Sequence, residues 1–310
     1  MRVLISGGAG FIGSSLVRAC LEAGDQVRVL DDFSTGRPEN LAQLQDAVDL
    51  VKGSVVDFEV VQRSVRGCEI VYHLAALPSA VQSVDEPVRT HGVNASGTVH
   101  VLEASRREGV RRVVYASSCA IYGNSDALPL KEELPPSPES PYALQKLAGE
   151  LYCQQFTRLH GLETVALRYF NVFGPRQDPA SSYAAVIPRL LTALMRGVPP
   201  RIHGDGQQSR DFVHVDDVVA ATRAAALAPK TCAGHVINVA RGERATILDL
   251  LDQLARAVER EALEPAYEAA RPGDVRHSQA EIRKAERLLG WRPRVTLAEG
   301  LRSLDPGASG

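Results

Sequence analysis

The apolar run Arg2-Val3-Leu4-Ile5-Ser6 passes directly into Gly7-Gly8-Ala9-Gly10-Phe11-Ile12-Gly13. No other feature narrows the possible folds as much. Glycines at this spacing permit a tight turn after a strand and let a ligand approach the backbone closely. A helix starting near Phe11 would aim its free amide groups at that ligand. Gly7, Gly10, Phe11, Ile12 and Gly13 are therefore expected to cradle the pyrophosphate of a dinucleotide.

The pattern downstream agrees. Val27-Arg28-Val29-Leu30, Leu50-Val51, Ile70-Val71-Tyr72-His73-Leu74, Val113-Val114-Tyr115 and Thr164-Val165-Ala166-Leu167 are short, β-branched runs. Between them apolar residues recur three and four apart, as at Ile12, Leu16, Val17 and Leu21. Continuous apolar strands alternating with amphipathic helices predict an α/β fold, a Rossmann-type doubly wound parallel sheet covered on both faces. Its ligands should sit beyond the strand C-termini. From Asn171 onward the loops become rich in Pro and Gly and the strands shorten. This predicts a dinucleotide-binding domain over 1–170 and a smaller C-terminal substrate-binding domain over 171–310. Part of 212–240, in the first instance Phe212 to Ala226, is expected to return to the sheet.

Composition excludes several classes of function. A net charge of −2 over 310 residues offers no basic field for nucleic acid or anionic membrane. No apolar run approaches the ~20 residues of a membrane span. The run Val3-Leu4-Ile5 is too short for a signal peptide. Five scattered cysteines without CxxC spacing predict reduced thiols in a cytoplasmic protein, with no metal site.

Asp31 ends the second strand. A carboxylate there accepts from the adenosine ribose hydroxyls and repels a 2′-phosphate, so NAD is expected rather than its phosphorylated form. Arg37 is the counter-signal, but Ser34-Thr35-Gly36 forms a turn that would carry it outward. Leu74, Ala75 and Ala76 are the small residues a cofactor needs over a strand tip. Asp57 either accepts from the adenine amine or caps the helix that follows. Asn94 is either a structural polar contact or a partner for the nicotinamide end.

Tyr142 and Lys146 are four apart on one helix and share a face. An ammonium near a phenol favours the phenolate, which lowers the tyrosine pKa from ~10. Ser118, at the end of the fifth strand, would reach the same mouth and hydrogen-bond the reacting oxygen or relay its proton. A surface helix face is the plainer reading of Tyr142 and Lys146 alone. Downstream of a dinucleotide cradle, the three are expected to be catalytic, taking a proton from an alcohol.

Taken in order, these segments resemble a known family. They are Gly7-x-x-Gly10-x-x-Gly13, Asp31-Asp32-Phe33-Ser34-Thr35-Gly36, His73-Leu74-Ala75-Ala76, Ser117-Ser118-Cys119-Ala120-Ile121-Tyr122-Gly123 and Tyr142-x-x-x-Lys146. Arg168-Tyr169-Phe170-Asn171-Val172-Phe173-Gly174-Pro175 and Arg210-Asp211-Phe212 complete the series. From Arg2 to about Gly300 the chain resembles the extended short-chain dehydrogenases/reductases, in their nucleotide-sugar epimerase and dehydratase branch. The resemblance adds Asp32, Ser34, Gly36, Val56, Tyr169 and Val172 to the expected NAD contacts. The 4,6-dehydratases of that branch carry an Asp-Glu pair where this chain has Cys119-Ala120, so dehydration is not expected and 4-epimerisation is.

The resemblance also implies a UDP-sugar site. Asn171 would contact the sugar-phosphate region, Arg210 and Arg271 the diphosphate, and Asp274 the ribose. Val186, Arg201 and His203 would line the uracil. Taken alone, Arg210 beside Asp211 reads equally as a surface ion pair, and His203 as a loop residue. The gate to the sugar pocket falls at Ser278, where epimerases restricted to plain hexoses carry tyrosine. A serine there leaves space for an acetamido group, and Ser79 matches a sugar-facing serine of the enzymes acting on N-acetylated sugars. The expected activity is NAD-dependent 4-epimerisation of UDP-N-acetylglucosamine and UDP-N-acetylgalactosamine. The alternatives are the UDP-glucose/UDP-galactose pair, a UDP-uronic acid, or a non-catalytic NAD-binding protein on the same fold. A homodimer is implied as well, through helices near Val93–Arg107 and Ala143–Leu159 bearing Val99, Leu102, Leu147 and Leu151.

Overall fold

In the computed structural model, which describes residues 1–177, 186–261, 263–270 and 275–304, the strands come in the order that the apolar runs suggest. They are β1 (Arg2–Ser6), β2 (Gln26–Asp31), β3 (Val48–Lys52), β4 (Ile70–His73), β5 (Arg112–Ser118) and β6 (Glu163–Tyr169). Helices α1 (Phe11–Glu22), α2 (Phe58–Val65), α3 (Ala80–Asp85), α4 (Pro87–His91), α5 (Gly97–Arg107) and α6 (Pro141–His160) lie between them.

The rest of the chain alternates short elements. β7 (Asn171–Phe173), α7 (Val186–Arg196), β8 (Arg201–His203), β9 (Ser209–Arg210), β10 (Phe212–His214) and α8 (Val215–Leu227) precede β11 (His235–Val239) and α9 (Ile247–Ala257). The main sheet is seven-stranded, in the order β11-β6-β5-β4-β1-β2-β3, and every pair in it is parallel. The strand that joins late is His235–Val239, alongside β6. Phe212–Ala226 does not return to the sheet. Its first residues pair with β7 in a separate two-stranded ribbon, and the remainder is helix α8. The reason lies in the side chains: the alanine-rich stretch Ala220–Ala226 packs as a helix against the sheet, where a strand would demand branched residues.

Alternation within each strand explains the two layers. Val3 and Ile5 face one core with Leu16 and Val17 of α1 and Val218 of α8. Leu4, between them, faces the other core with Val61, Val101 and Leu102. Leu102 thus belongs to the interior, not to the outer stripe expected of a dimer helix. A third core of Phe173, Leu190, Ile202, Phe212, Leu250 and Leu254 organises the short elements. No described helix is long and apolar enough to cross a membrane.

Because the strands are parallel, their C-termini lie along one edge of the sheet. The register places Ser6 beside His73, and Ser118 beside Tyr169. That edge carries Gly7, Asp31, Leu74 and Ser118.

Candidate active site

The cradle begins with a left-handed Gly7, at φ +74°. A side chain there would press on the backbone of Ala75, with a Cβ 2.7 Å from its nitrogen. Gly13 sits against the Gly7 carbonyl, and a Cβ on it would also come within 2.9 Å of Gly8 Cα. The missing side chains thus let α1 start hard against the end of β1. Gly10 caps α1 without any side-chain hydrogen bond, leaving the amides of the first turn bare. This fits a dinucleotide pyrophosphate, which those amides and the helix dipole would hold.

Asp31, almost fully buried, accepts from Ala9 N at 2.8 Å and Phe33 N at 2.8 Å. The carboxylate is therefore locked at the β2 tip, with lone pairs remaining for ribose hydroxyls. Burial raises its pKa against the pull of those two amides. Asp32 and Ser34 are exposed, and Asp32 accepts from Ser34 N. Gly36 is packed against the Asp31 carboxylate, which a Cβ would touch at 2.8 Å. Val56 is exposed beside Asp57, at the C-terminal side of β3.

Several expected contacts also bond within the protein. Asp57 caps α2, accepting from Glu59 N and Val60 N, both through Oδ1. Asn94 lies in a π-turn over Gly92–Ser96 that leads into α5. It accepts from Leu77 N, and its amide hydrogens go to Leu77 O and Gln145 Oε1. Both of its amide hydrogens are thereby committed within the protein. The Tyr169 hydroxyl is bonded to Thr222 of α8, away from the cleft, so only its backbone stands at the sheet edge beside Ser118. Val172 is half-buried in β7, and Gln177 Nε2 donates to its carbonyl.

A buried chain of hydrogen bonds supports Ala75. Ala75 N donates to Ser6 Oγ at 3.4 Å, and Ser6 Oγ contacts His73 Nδ1 at 2.8 Å. His73 Nε2 meets Thr98 Oγ1 at 3.0 Å, and Thr98 donates onward to Asn94 O. Since Thr98 spends its hydrogen on Asn94, His73 donates from Nε2. Burial lowers the ring's pKa to about 3 and so favours its neutral form.

Helix α6 carries the reactive face. Ser140 caps it, Pro141 opens it and Gly161 closes it in the left-handed region. Tyr142 N donates to Ser83 Oγ at 3.0 Å, and the phenol lies close enough to Ser118 for that hydroxyl to pull its pKa down. Lys146 is buried, donates to Ala116 O at 2.8 Å, and lies 5.9 Å from the centre of the Tyr142 ring. The structure thus brings Ser118, Tyr142 and Lys146 together, but without a lowered phenol pKa. Burial pushes Tyr142 up to about 12, outweighing the downward pull of Ser118. Burial also lowers Lys146 to about 8. In this state the site holds a neutral phenol above a lysine close to losing its proton.

The second domain brings other groups to the same mouth. Arg210 and Asp211 lie within electrostatic reach of Cys119, the neighbour of Ser118. Asp211 accepts from Arg241 N, Gly242 N and Ala280 N, and its carbonyl accepts from Asn171 N and Nδ2. Ser278 is buried, and its amide donates to Ser209 O at 3.0 Å. Ser79 caps α3, accepting from Gln82 N. Val186 is the first residue of α7. Arg201 is exposed and paired with Glu268. Arg271 and Asp274 lie outside the described residues. Ser83, Gln145 and Glu150 are neighbours of the site that the sequence did not single out, and Ser117 and Arg168 stood in it only as members of longer motifs. Their one signal was helical spacing: Gln145 and Glu150 share α6 with the reactive pair.

Comparison with known proteins agrees with this geometry. The model of the NAD dependent epimerase/dehydratase family matches residues 3–240. The chain is 42% identical over 306 residues to the UDP-glucose 4-epimerase of Mycolicibacterium smegmatis, covering 97% of this chain and 96% of that protein. It is similar in structure to the UDP-glucose 4-epimerase of Thermotoga maritima with UDP-glucose, at TM-score 0.92 and 39% identity over 98% of this chain and 97% of that one. The UDP-N-acetylglucosamine 4-epimerase of Methanobrevibacter ruminantium, in complex with UDP-N-acetylmuramic acid, is as near, at TM-score 0.92 and 38% identity over 97% and 96% of the two chains.

The cradle makes a direct prediction. Gly13→Ala sets a methyl group against two backbone segments that cannot both retreat, so α1 must shift from the turn. Dinucleotide affinity should fall at least about tenfold, equivalent to ~1.4 kcal/mol. Calorimetric titration, together with the amount of dinucleotide released on denaturation, measures this. Affinity equal to that of the parent protein would mean that the turn is not the cradle.

Proposed function

The chain belongs to the NAD-dependent epimerase/dehydratase family, and on that premise we propose that it interconverts UDP-N-acetylglucosamine and UDP-N-acetylgalactosamine at C4. The general activity is that of an NAD-dependent UDP-sugar 4-epimerase. The acetylated substrate is the finer reading.

Bound NAD supplies the hydride acceptor at C4 and a positively charged ring. The residues do the rest. Tyr142, as phenolate, takes the O4 proton directly or through Ser118. Lys146 stabilises the phenolate as a buried cation, since a positive charge favours the charged form of a neighbouring acid. The 4-keto sugar turns about its bonds to the diphosphate and presents its other face for reduction. Tyr142 then returns the proton to O4. Cys119 and Ala120 supply no carboxylate beside this site, and burial pushes the Cys119 thiol up to about 12. A neutral thiol and a methyl group do not eliminate water.

The diphosphate is assigned to Arg210, with Arg271, because forked guanidinium donors suit phosphate oxygens. Asn171 lies on the same tether, and Asp274 is assigned to the ribose. For the uracil the support is a pair of buried polar atoms. His203 Nε2 and Gln208 Oε1 have no hydrogen-bond partner among the described residues. Arg201 and Val186 would flank them.

The observation that carries the substrate assignment is Ser278. It is a small, buried residue on a segment tied to Ser209 and Asp211, and therefore to the mouth at Ser118. A compact side chain there leaves room for an acetamido group. The proposed homodimer would bury a stripe on α6, where Leu144, Leu151 and Leu159 are each more than half exposed on the side away from Lys146.

Incubation of the NAD-loaded protein with UDP-N-acetylglucosamine should produce UDP-N-acetylgalactosamine, visible by NMR. Tyr142→Phe should lower this turnover by ~10²–10⁴-fold while leaving NAD bound. Activity at the parent level in that variant would remove the tyrosine from the mechanism. Ser278→Tyr should cost ~1–3 kcal/mol on the acetylated pair by overpacking, or roughly ten- to a hundredfold in kcat/KM. UDP-glucose and UDP-galactose should be affected far less. Equal losses on both pairs, or none on the acetylated pair, would show that Ser278 is not the gate and remove the support for the acetylated substrate. Light scattering at micromolar concentration should give twice the chain mass, and a monomer would refute the α6 interface.

A further inference from the structure

Behind the reactive pair lies an ion pair that the proposed reaction does not use. Glu150 and Arg168 are both almost completely buried. Arg168 donates to Glu150 from Nε and Nη2, each at 2.9 Å. Ser117, next to Ser118, donates to the same carboxylate at 2.6 Å. The Arg168 guanidinium also lies over the Tyr122 ring, 4.6 Å from its centre. Burying two such charges seldom adds net stability, so a pair of this kind invites a functional explanation.

Position supplies one. Glu150 follows Lys146 by one helical turn, on the same face of α6. One carboxylate therefore touches three things the reaction needs: the helix bearing Tyr142 and Lys146, the β5 tip bearing Ser118, and β6. We propose that Glu150 is a positioning residue for proton transfer, holding Lys146 in its charged form and clamping the Ser118 strand end against α6. This rests on the reading of Tyr142 as the base.

The charges around Lys146 support it. On α6 the titratable neighbours are Tyr142, Glu150 and Cys153, and burial pushes the Cys153 thiol up, which keeps it neutral. From β4 comes His73, which is neutral, and from β5 comes Tyr115, whose hydroxyl burial keeps protonated. Cys119 and Tyr122 follow β5, and burial pushes both up as well. Arg210 and Asp211 reach the site from the side of Cys119, and Lys146, Glu150 and Arg168 are the charged groups behind the reactive pair. They sum to one positive charge, which a Tyr142 phenolate would balance. Burial pulls Lys146 down, and its neighbours Cys153 and then the Glu150 carboxylate oppose that pull. Without Glu150, Lys146 would lose its proton at lower pH. The phenolate would then lose its cation and form only at higher pH.

The test uses the NAD-loaded protein and two readouts. One is the pH profile of kcat/KM on UDP-N-acetylglucosamine. The other needs no substrate: the tyrosinate absorbance of Tyr142, isolated by subtracting the titration of Tyr142→Phe. In Glu150→Gln the alkaline limb should move down by about one pH unit or more, the scale on which a nearby opposite charge acts. Tyr142 should titrate correspondingly higher, kcat should fall by about tenfold or more, and KM should stay near the parent value. Loss of kcat with both limbs and the Tyr142 titration unmoved would make Glu150 a packing residue and overturn the proposal. If Glu150→Gln fails to fold, Glu150→Asp keeps the charge but withdraws it by one methylene. Its limbs should then move in the same directions by less, and unmoved limbs would again overturn the proposal. A protein that turns over no UDP-sugar would defeat the substrate reading, while the Tyr142 titration would still decide the role of Glu150.

Discussion

The structure depends on one contact that no side chain could make: α1 begins directly against the β1 turn because Gly13 lies on the Gly7 carbonyl. That contact fixes where the first helix points and leaves its opening amides bare. It also sets the Gly7 turn against Ala75 at the β4 tip. Parallel pairing then brings every other strand end to the same edge. A methyl group at this point would separate helix from turn, and the ligand-binding edge would lose its origin.

Above that edge the structure is braced by buried polar groups. Each spans segments distant in sequence. The Ser6–His73–Thr98–Asn94 chain joins β1, β4 and α5, and Asn94 passes it to Gln145 on α6. Glu150 joins α6 to β5 and β6. Asp211 joins the β9–β10 junction to the loops after β11 and around Ala280. Apolar packing would hold the same layers together without fixing their register. Directed hydrogen bonds in a low-dielectric interior do fix it, because leaving one unmade costs more than forming it gains.

The electrostatics of the proposed catalytic residues follow from the same burial. Removing water raises the phenol of Tyr142 and lowers the ammonium of Lys146, so each is biased toward its neutral form. A site in this condition responds strongly to added charge, because nothing screens it. The positive ring of NAD is such a charge, and binding it would favour the phenolate only in the loaded protein. In the proposed reaction, proton abstraction would thereby be coupled to the presence of the hydride acceptor.

The amino-acid sequence determined the class of fold, the glycine cradle, the Asp31 tip and the spacing of Tyr142 and Lys146. These depend on local backbone freedom and on helix and strand periodicity, which a linear reading captures. The tertiary structure alone decided the rest. Asp57 and Asn94 each had two plausible roles, and only the positions of Glu59, Leu77 and Gln145 showed which internal bonds they make. The late strand was His235–Val239 rather than Phe212–Ala226, because sheet membership depends on what remains to be covered beside β6. The Tyr142 pKa rose where spacing suggested it would fall, since proximity to a lysine is local but desolvation is a property of the whole packed site.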